Sequence, residues 1–339
     1  MSRRRAGPIA AAVALVAAVG VAIGIVAAVH HIETAPLIRT DAPALEVAPG
    51  SSFAEVSEQL AERSLIDHPL VLRVYARWQG LAHRIQAGEY ALPARLTAAA
   101  LLERMVEGRV VDYAITLIEG WRVEEMLAAV RAHPAIRQTL PADVTPDRLM
   151  AAIGRPGEAA EGRFLPETYH FPRGESDVDI LRRANRKLES TLDAIWAQRS
   201  QPLPLADPGE LLTLASIIEK ETGQAAERRR IAGVFVRRLR GGMRLQTDPT
   251  VIYGLGEAFD GDLLRRHLRA DTPYNTYTRH GLPPTPIALA GRAAIAAAAD
   301  PAAGDSLYFV SRGDGTHVFS ETLEAHNRAV RRYQLGEGD

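Results

Sequence analysis

The chain has 339 residues, with 40 lysines and arginines against 41 acidic residues, a formal net charge of -1 and no cysteine. This length predicts about two folded domains. A net charge near zero argues against a dedicated nucleic-acid-binding protein, which normally carries a basic excess. The absence of cysteine excludes disulfides, thiolate zinc sites, iron–sulfur clusters and a cysteine nucleophile.

The first predicted element is a membrane-spanning helix. Residues 9–29 are drawn only from Ala, Val, Ile, Leu and Gly, and about 20 apolar residues suffice to cross a hydrocarbon core roughly 30 Å thick. Three arginines, Arg3 to Arg5, precede this run, so the positive-inside rule predicts a cytoplasmic N-terminus and export of everything after residue 30. The run exceeds the usual signal-peptide core of about 7–15 residues, which favours an uncleaved anchor over a cleaved signal peptide.

A small region of alternating strands and helices follows. The pattern predicts strands over 45–47, 88–93 and 115–119. Three helices are predicted. The first follows a cap at Ser51 or Ser52, the second spans 98–107 between a cap at Thr97 and a stop at Gly108, and the third spans 123–131. No carboxylate or histidine pattern in this region indicates catalysis.

Residues 134–200 are predicted to be mostly helix and loop. Within them, Glu161 and Glu167 flank a stretch rich in aromatic residues that also contains a glycine and a proline. Such a stretch suits the wall of a cleft, and equally an aromatic-anchored core loop.

The next predicted helix, over 210–223, carries the principal catalytic candidate. At 100° per residue, Glu221 continues the apolar face formed by Leu211, Leu214, Ala215 and Ile218. Glu219 falls toward the polar side and is predicted to pair with Lys220, while Thr222 places a hydroxyl beside Glu221. Burial against aliphatic side chains raises the pKa of a carboxyl group, as a general acid near neutral pH requires. A solvated helix end is the alternative.

Three proline-stiffened loops follow at 246–254, 272–277 and 281–287, presenting tyrosine, asparagine, threonine and glutamine. Aromatic faces stack on sugar rings and amides bond their hydroxyl groups, so these loops suit a glycan ligand. The arginines between 228 and 244 are predicted to form a solvated helix face. Contact with acidic peptide stems of a glycan is the alternative.

The motifs LASIIEKET at 214–222, LQTDPTVIYG at 245–254 and YNTY at 274–277 with GLPP at 281–284 resemble the endolytic murein transglycosylases of the YceG-like (MltG) family. The similarity covers residues from about 43 to 335. It departs from the family at Glu167, where aspartate is usual, and at Thr285, where glycine is usual.

The resemblance implies an α+β protein with a defined order of parts. These are a cytoplasmic tail at 1–8, a transmembrane anchor at 9–29, a linker at 30–42, a small LysM-like βα module at 43–115 and a larger mixed α+β catalytic domain at 116–339. It further implies a single-pass protein of the bacterial cytoplasmic membrane with an extracytoplasmic catalytic domain. The implied partners are peptidoglycan strands, the membrane and cell-wall synthases, with a role in terminating nascent strands and no role with nucleic acid.

The implied reaction cleaves the β-1,4 bond between N-acetylmuramic acid and N-acetylglucosamine without water as nucleophile. By resemblance, Glu221 protonates the leaving oxygen and then accepts the proton of the muramic acid 6-hydroxyl, which leaves a 1,6-anhydro end. One carboxyl group serves both steps, so no cofactor is expected. The ten histidines form no HExxH motif, and no metal site is expected.

Eight further residues are predicted to form or support the substrate cleft. They are Gln246, Asp248, Tyr253, Tyr274, Asn275, Tyr277, Glu161 and Glu167. Two other functions remain open from the residues themselves. One is a glycoside hydrolase that uses water with Glu221 and Asp248, and the other is a non-catalytic, anchored glycan-binding scaffold.

Overall fold

A computed structural model describes residues 6–37, 43–199 and 202–336. Its mixture of helices and short strands confirms the α+β class in general terms. By its internal contacts the chain divides into two compact units, Met1–Tyr113 and Ala114–Asp339.

The first unit begins with helix α1, Ala6–Thr34. Ala10–Thr34 is long and apolar enough to cross a membrane, with a mean hydropathy of 2.8. Arg3 to Arg5 and residues 38–42 of the predicted linker lie outside the described residues. Residues 30–34 were predicted as linker but continue the helix, because Ile32 is buried in the core of the unit.

The rest of this unit has the order strand, two helices, strand, helix. The elements are β1 Ala44–Val47, α2 Phe53–Glu62, α3 Pro69–Trp78, β2 Gly88–Ala91 and α4 Ala98–Glu107. β1 and β2 pair in antiparallel register, with Leu45 opposite Tyr90, and both side chains are fully buried. Ser52 caps α2, and Thr97 and Gly108 bound α4 as predicted. Helix α3 was not predicted, although its apolar residues recur at helical spacing and only Arg73 and Arg77 interrupt them.

The second unit surrounds one central helix with further helices and two small sheets. Its elements, from the unit boundary onward, are β3 Asp112–Thr116, α5 Val123–Ala132, α6 Pro146–Ile153, β4 Thr168–Pro172, α7 Asp177–Ala197, α8 Pro208–Glu221, α9 Arg228–Arg240, α10 Asp248–Leu255, α11 Arg265–Arg269, α12 Arg292–Ala299, β5 Tyr308–Ser311, β6 His317–Ser320 and α13 Leu323–Tyr333. β3 pairs with β4, and β5 with β6 as an antiparallel hairpin. β4 and the hairpin were missed by the sequence pattern.

Helix α8 is the central element of this unit. Asp207 caps its first turn and Pro208 occupies the first helical position. The buried surface of α8 is wider than the predicted one-sided apolar face, since every residue from 211 to 218 is buried. The reason is that α7, α9 and α12 all pack against α8, so the small polar residues Thr213 and Ser216 are enclosed together with the aliphatic ones.

Gly233 permits the close approach of α9 to the loop after α12. A Cβ atom at this position would lie 2.5 Å from the carbonyl oxygen of Ala302. We expect Gly233→Ala to lower the free energy of unfolding by about 1–3 kcal/mol, because a backbone carbonyl cannot move aside cheaply. Thermal unfolding measures the change. Gly223→Ala is the matched control, since a Cβ atom there meets nothing within 4 Å, and equal melting points for the two variants would contradict the expectation.

Candidate active site

Glu221 is the last residue of α8 and is half-buried. Its Oε1 accepts a short hydrogen bond from the Thr247 hydroxyl. Burial raises the pKa of Glu221 to about 7, the Thr247 bond lowers it, and the negative charge of Asp248 raises it. Near neutral pH the carboxyl group therefore exists in both protonation states, as a group that both gives and takes a proton requires.

Thr247, the partner of Glu221, was not among the predicted site residues. It is buried, and its N–H donates to Oγ1 of Thr276 at 3.1 Å. Its carbonyl accepts a 2.8 Å bond from the hydroxyl of Thr250. The bond to Thr276 joins the loop at 246–254 to the loop at 272–277. The sequence offered Thr222 as the hydroxyl beside Glu221, but the Thr222 hydroxyl accepts the N–H of Gln224 instead.

An open, mostly polar cleft of about 490 Å³ brings Glu221 together with Gln246, Asp248 and Tyr277. The hydroxyl of Tyr277 donates to Oδ1 of Asp248 at 2.6 Å. Gln246 has a φ of 51°, a left-handed conformation that is uncommon outside glycine. Four of the predicted site residues thus line one cleft.

The hairpin β5–β6 and α13 also line the cleft, and they supply Tyr308, His317 and His326. Nδ1 of His317 lies 2.7 Å from Oε2 of Glu227, and the His317 N–H donates to Oε1 of the same carboxylate at 3.0 Å. None of these residues was predicted. The available signal was the turn RGDGT between two short apolar runs, which is typical of a hairpin.

Tyr253, Tyr274 and Glu161 form a separate cluster and do not line this cleft. The Tyr253 hydroxyl donates to Oε2 of Glu161 at 3.3 Å, and the two tyrosine rings lie 4.8 Å apart. Burial raises the pKa of Glu161 to about 7, against the lowering effect of N–H donors from Val123 and Gly162. Through the bond from the Val123 N–H, this carboxyl group holds the start of α5 to the loop that contains Glu161.

Asn275 and Glu167 were predicted to form or support the substrate cleft, but neither of them lines it. Asn275 is buried, and its amide donates to the carbonyls of His267, Leu268 and Ala270. Asn275 therefore shapes its loop and has no free amide hydrogen for a ligand. Glu167 pairs with Lys187 on α7.

Thr285, which stands where the family usually has glycine, makes two contacts through its hydroxyl group. Its hydroxyl lies 2.8 Å from the hydroxyl of Tyr274 and donates to the carbonyl of Pro286 at 2.9 Å.

The predicted environment of Glu219 and Lys220 is wrong. The side chain of Glu219 is only 5% exposed and bonds to Arg228 at 3.4 Å. It also accepts the N–H of Gly291 at 2.8 Å, at the start of α12. Lys220 donates to the carbonyl of Gly120 at 3.1 Å and does not pair with Glu219. Because Gly120 and Gly291 contact the last turn of α8, its nominally polar face is in part a packing surface.

The predicted solvated arginine face on α9 is wrong at Arg238, which is 7% exposed. Its guanidinium group donates to the carbonyls of Leu307, Arg244 and Leu245. Arg229 fits the prediction better, since its ion pair with Asp300 is exposed. Among the described residues, no group of three or more His, Cys, Asp or Glu side chains is arranged to hold a metal ion.

Comparison with known proteins confirms the resemblance. A model of the YceG-like family matches residues 45–332. The endolytic murein transglycosylase of Bacillus subtilis is 31% identical over 309 residues, covering 85% of this chain and 84% of that protein. The endolytic murein transglycosylase of Streptococcus pneumoniae R6 is 26% identical over 319 residues, and the match spans 57% of its length. The crystal structure of a yceG-like protein from Listeria monocytogenes, 29% identical, matches with a TM-score of 0.53 over 84% of this chain and 98% of that one. The chain therefore belongs to the YceG-like family.

Proposed function

We propose that the protein is an endolytic peptidoglycan lytic transglycosylase and that Glu221 is its catalytic acid and base. The observation that carries the proposal is a half-buried carboxyl group, with a pKa raised to about 7, in an open polar cleft. Two relatives in the same family carry the name endolytic murein transglycosylase.

In the proposed reaction, protonated Glu221 gives its proton to the glycosidic oxygen as the bond to C1 of the muramic acid residue breaks. The resulting carboxylate then takes the proton of the 6-hydroxyl of the same sugar, whose oxygen bonds to C1. The products are a free 4-hydroxyl and a 1,6-anhydro end, with no water consumed. The nucleophile belongs to the substrate, so the reaction needs no bound water and gains from proximity.

Asp248 gives the hydrolase alternative its support, because its carboxylate lines the same cleft as Glu221. Water activated by Asp248 would yield a reducing end. The Tyr277 hydroxyl donates to Oδ1 of Asp248 at 2.6 Å. A base that activates water would need a free carboxylate oxygen, and this one already accepts a hydrogen bond. We therefore assign Asp248 and Tyr277, with Gln246, to substrate binding.

The products of the purified full-length chain test this proposal. Un-crosslinked and mature murein are digested, and the fragments are weighed by mass spectrometry. We expect 1,6-anhydro ends. Reducing ends, heavier by the mass of one water, would establish the hydrolase. Binding of glycan without any new ends would establish the scaffold.

Thr247→Val is expected to move the alkaline limb of the pH–activity profile upward by about one pH unit. The Thr247 hydroxyl bonds to the Glu221 carboxylate and lowers its pKa, so its removal raises that pKa further. A general acid is active while protonated, and a higher pKa keeps it protonated to higher pH. Initial rates across pH 5–9 measure the shift. Thr247→Ser keeps the hydroxyl and should retain the wild-type limb, and the expectation fails if both variants shift alike.

The other assigned features are part of the proposal. α1 is the uncleaved membrane anchor, with the N-terminus in the cytoplasm and the catalytic domain, 116–339, outside. The order strand, two helices, strand after it, formed by β1, α2, α3 and β2, supports a LysM-like module at 43–115. Anchoring on the outer face of the membrane places the enzyme where new strands emerge, beside the synthases whose products it would terminate.

A further inference from the structure

Helix α3 presents an apolar stripe to solvent. Leu70, Val74 and Trp78 are 68%, 70% and 72% exposed. Their spacing of four residues places them on one face of the helix. The opposite side of α3 packs into the core through Leu72, Tyr75 and Ala76. Single exposed apolar residues are ordinary, but three large ones in line mark an interaction surface.

The helix that carries this stripe packs against the end of α1. The Tyr75 hydroxyl donates to Glu33 of α1 at 3.2 Å. Ile32 is buried in the core of this unit, and Val29 packs against the same core. Ala28 and Val71 line a shared cavity between the two helices. Contacts between α1 and the rest of the unit therefore begin at the end of the apolar run.

The length of the apolar run fixes the height of these contacts above a membrane. At about 1.5 Å per residue, residues 9–29 span roughly 31 Å, which matches a hydrocarbon core of about 30 Å. With α1 inserted, Val29 lies at the hydrocarbon boundary, so α3 lies at the level of the lipid headgroups. Tryptophan is the residue most typical of this layer, and arginine, here the exposed Arg77, favours anionic headgroups.

We propose that the face of α3 formed by Leu70, Val74 and Trp78 docks on the outer surface of the membrane that α1 spans. The occupant of this face is the boundary between headgroups and acyl chains. The chain itself delivers the stripe to that boundary through the α1 contacts, without any added partner. The inference rests on the proposed membrane anchor.

The absence of cysteine makes a direct test possible, because one introduced cysteine can carry a spin label at a single position. The full-length chain is reconstituted into vesicles of phosphatidylethanolamine and phosphatidylglycerol, with the label at Val74→Cys. Collision rates with oxygen, which concentrates in lipid, and with a water-soluble nickel chelate report the surroundings of the label. Ala54→Cys, exposed on α2, is the matched control outside the stripe, and Val16→Cys is the control within α1.

We expect the labels at Val74 and Val16 to favour oxygen and the label at Ala54 to favour the nickel chelate, with at least a fivefold difference in the ratio of collision rates. A label at Val74 that is open to the chelate while Val16 stays in lipid would overturn the docking and leave the anchor intact. A label at Val74 shielded from both reagents would mean that protein, such as a second copy of the chain, covers the stripe, which also overturns the proposal. A label at Val16 open to the chelate would overturn the anchor and the docking together.

Discussion

Glu221→Gln is expected to reduce formation of 1,6-anhydro ends by about 10²–10⁴-fold, the usual contribution of general acid–base catalysis. Glutamine fills the same space, and its carbonyl oxygen can still accept the Thr247 hydroxyl bond. It cannot give a proton to the glycosidic oxygen. The chain should stay folded, because the substitution removes a group that is costly to ionise in its buried setting.

Product analysis beside a thermal melt separates catalysis from folding. The melting point of Glu221→Gln should equal or exceed that of the wild type. Asp248→Asn is the matched carboxyl change in the same cleft. It should weaken turnover and still yield anhydro ends. If Glu221→Gln makes anhydro ends at the wild-type rate, Glu221 is not the catalytic group. If both variants lose all cleavage and the wild type forms reducing ends, the hydrolase mechanism holds.

Arg238→Met is expected to lower the free energy of unfolding by about 3–5 kcal/mol, since it leaves several buried carbonyl groups without a donor. Nε of Arg238 donates to Leu307 at 2.7 Å, at the entry to β5. Nη1 donates to Leu245 at 2.8 Å, just before Gln246 and Thr247. One side chain therefore ties α9 to two segments that line the cleft, and its loss should lower activity as well as stability.

Denaturant unfolding of the purified chain measures this effect. Arg229→Ala on the same helix is the control, because its ion pair with Asp300 is half exposed and should contribute less than about 1 kcal/mol. Arg238→Lys should fall between the wild type and Arg238→Met, since one ammonium group cannot reproduce the fork of guanidinium donors. A stability loss at Arg238→Met no greater than at Arg229→Ala would show that the buried bonds add nothing.

The sequence predicted local features well where one residue type forces one conformation. Ser52 and Thr97 cap helices because a short hydroxyl side chain can reach a free N–H group, and Gly108 ends α4 in the left-handed conformation that glycine tolerates. The position of Glu221 on α8 followed from helical periodicity, and its raised pKa agrees with that placement.

The rest of the site depends on contacts between distant segments. Thr247 meets Glu221 across 26 residues, and the bond from His317 to Glu227 spans 90. Because the partners are so far apart along the chain, no short sequence pattern indicates either contact. Asn275 and Arg238 were misjudged for a related reason. Polar residue types suggest contact with solvent or ligand, but here their donors satisfy backbone carbonyls inside the fold.

The position of Glu221 as the final residue of α8 has an electrical consequence. The aligned peptide dipoles of a helix place partial negative charge at its C-terminal end, where a carboxylate is disfavoured by about 0.3–1 kcal/mol. In this 14-residue helix that field acts in the same direction as burial. The scaffold therefore favours the protonated acid before bond cleavage. Once the proton has left, the same field makes the carboxylate a stronger base for recovering one from the sugar hydroxyl.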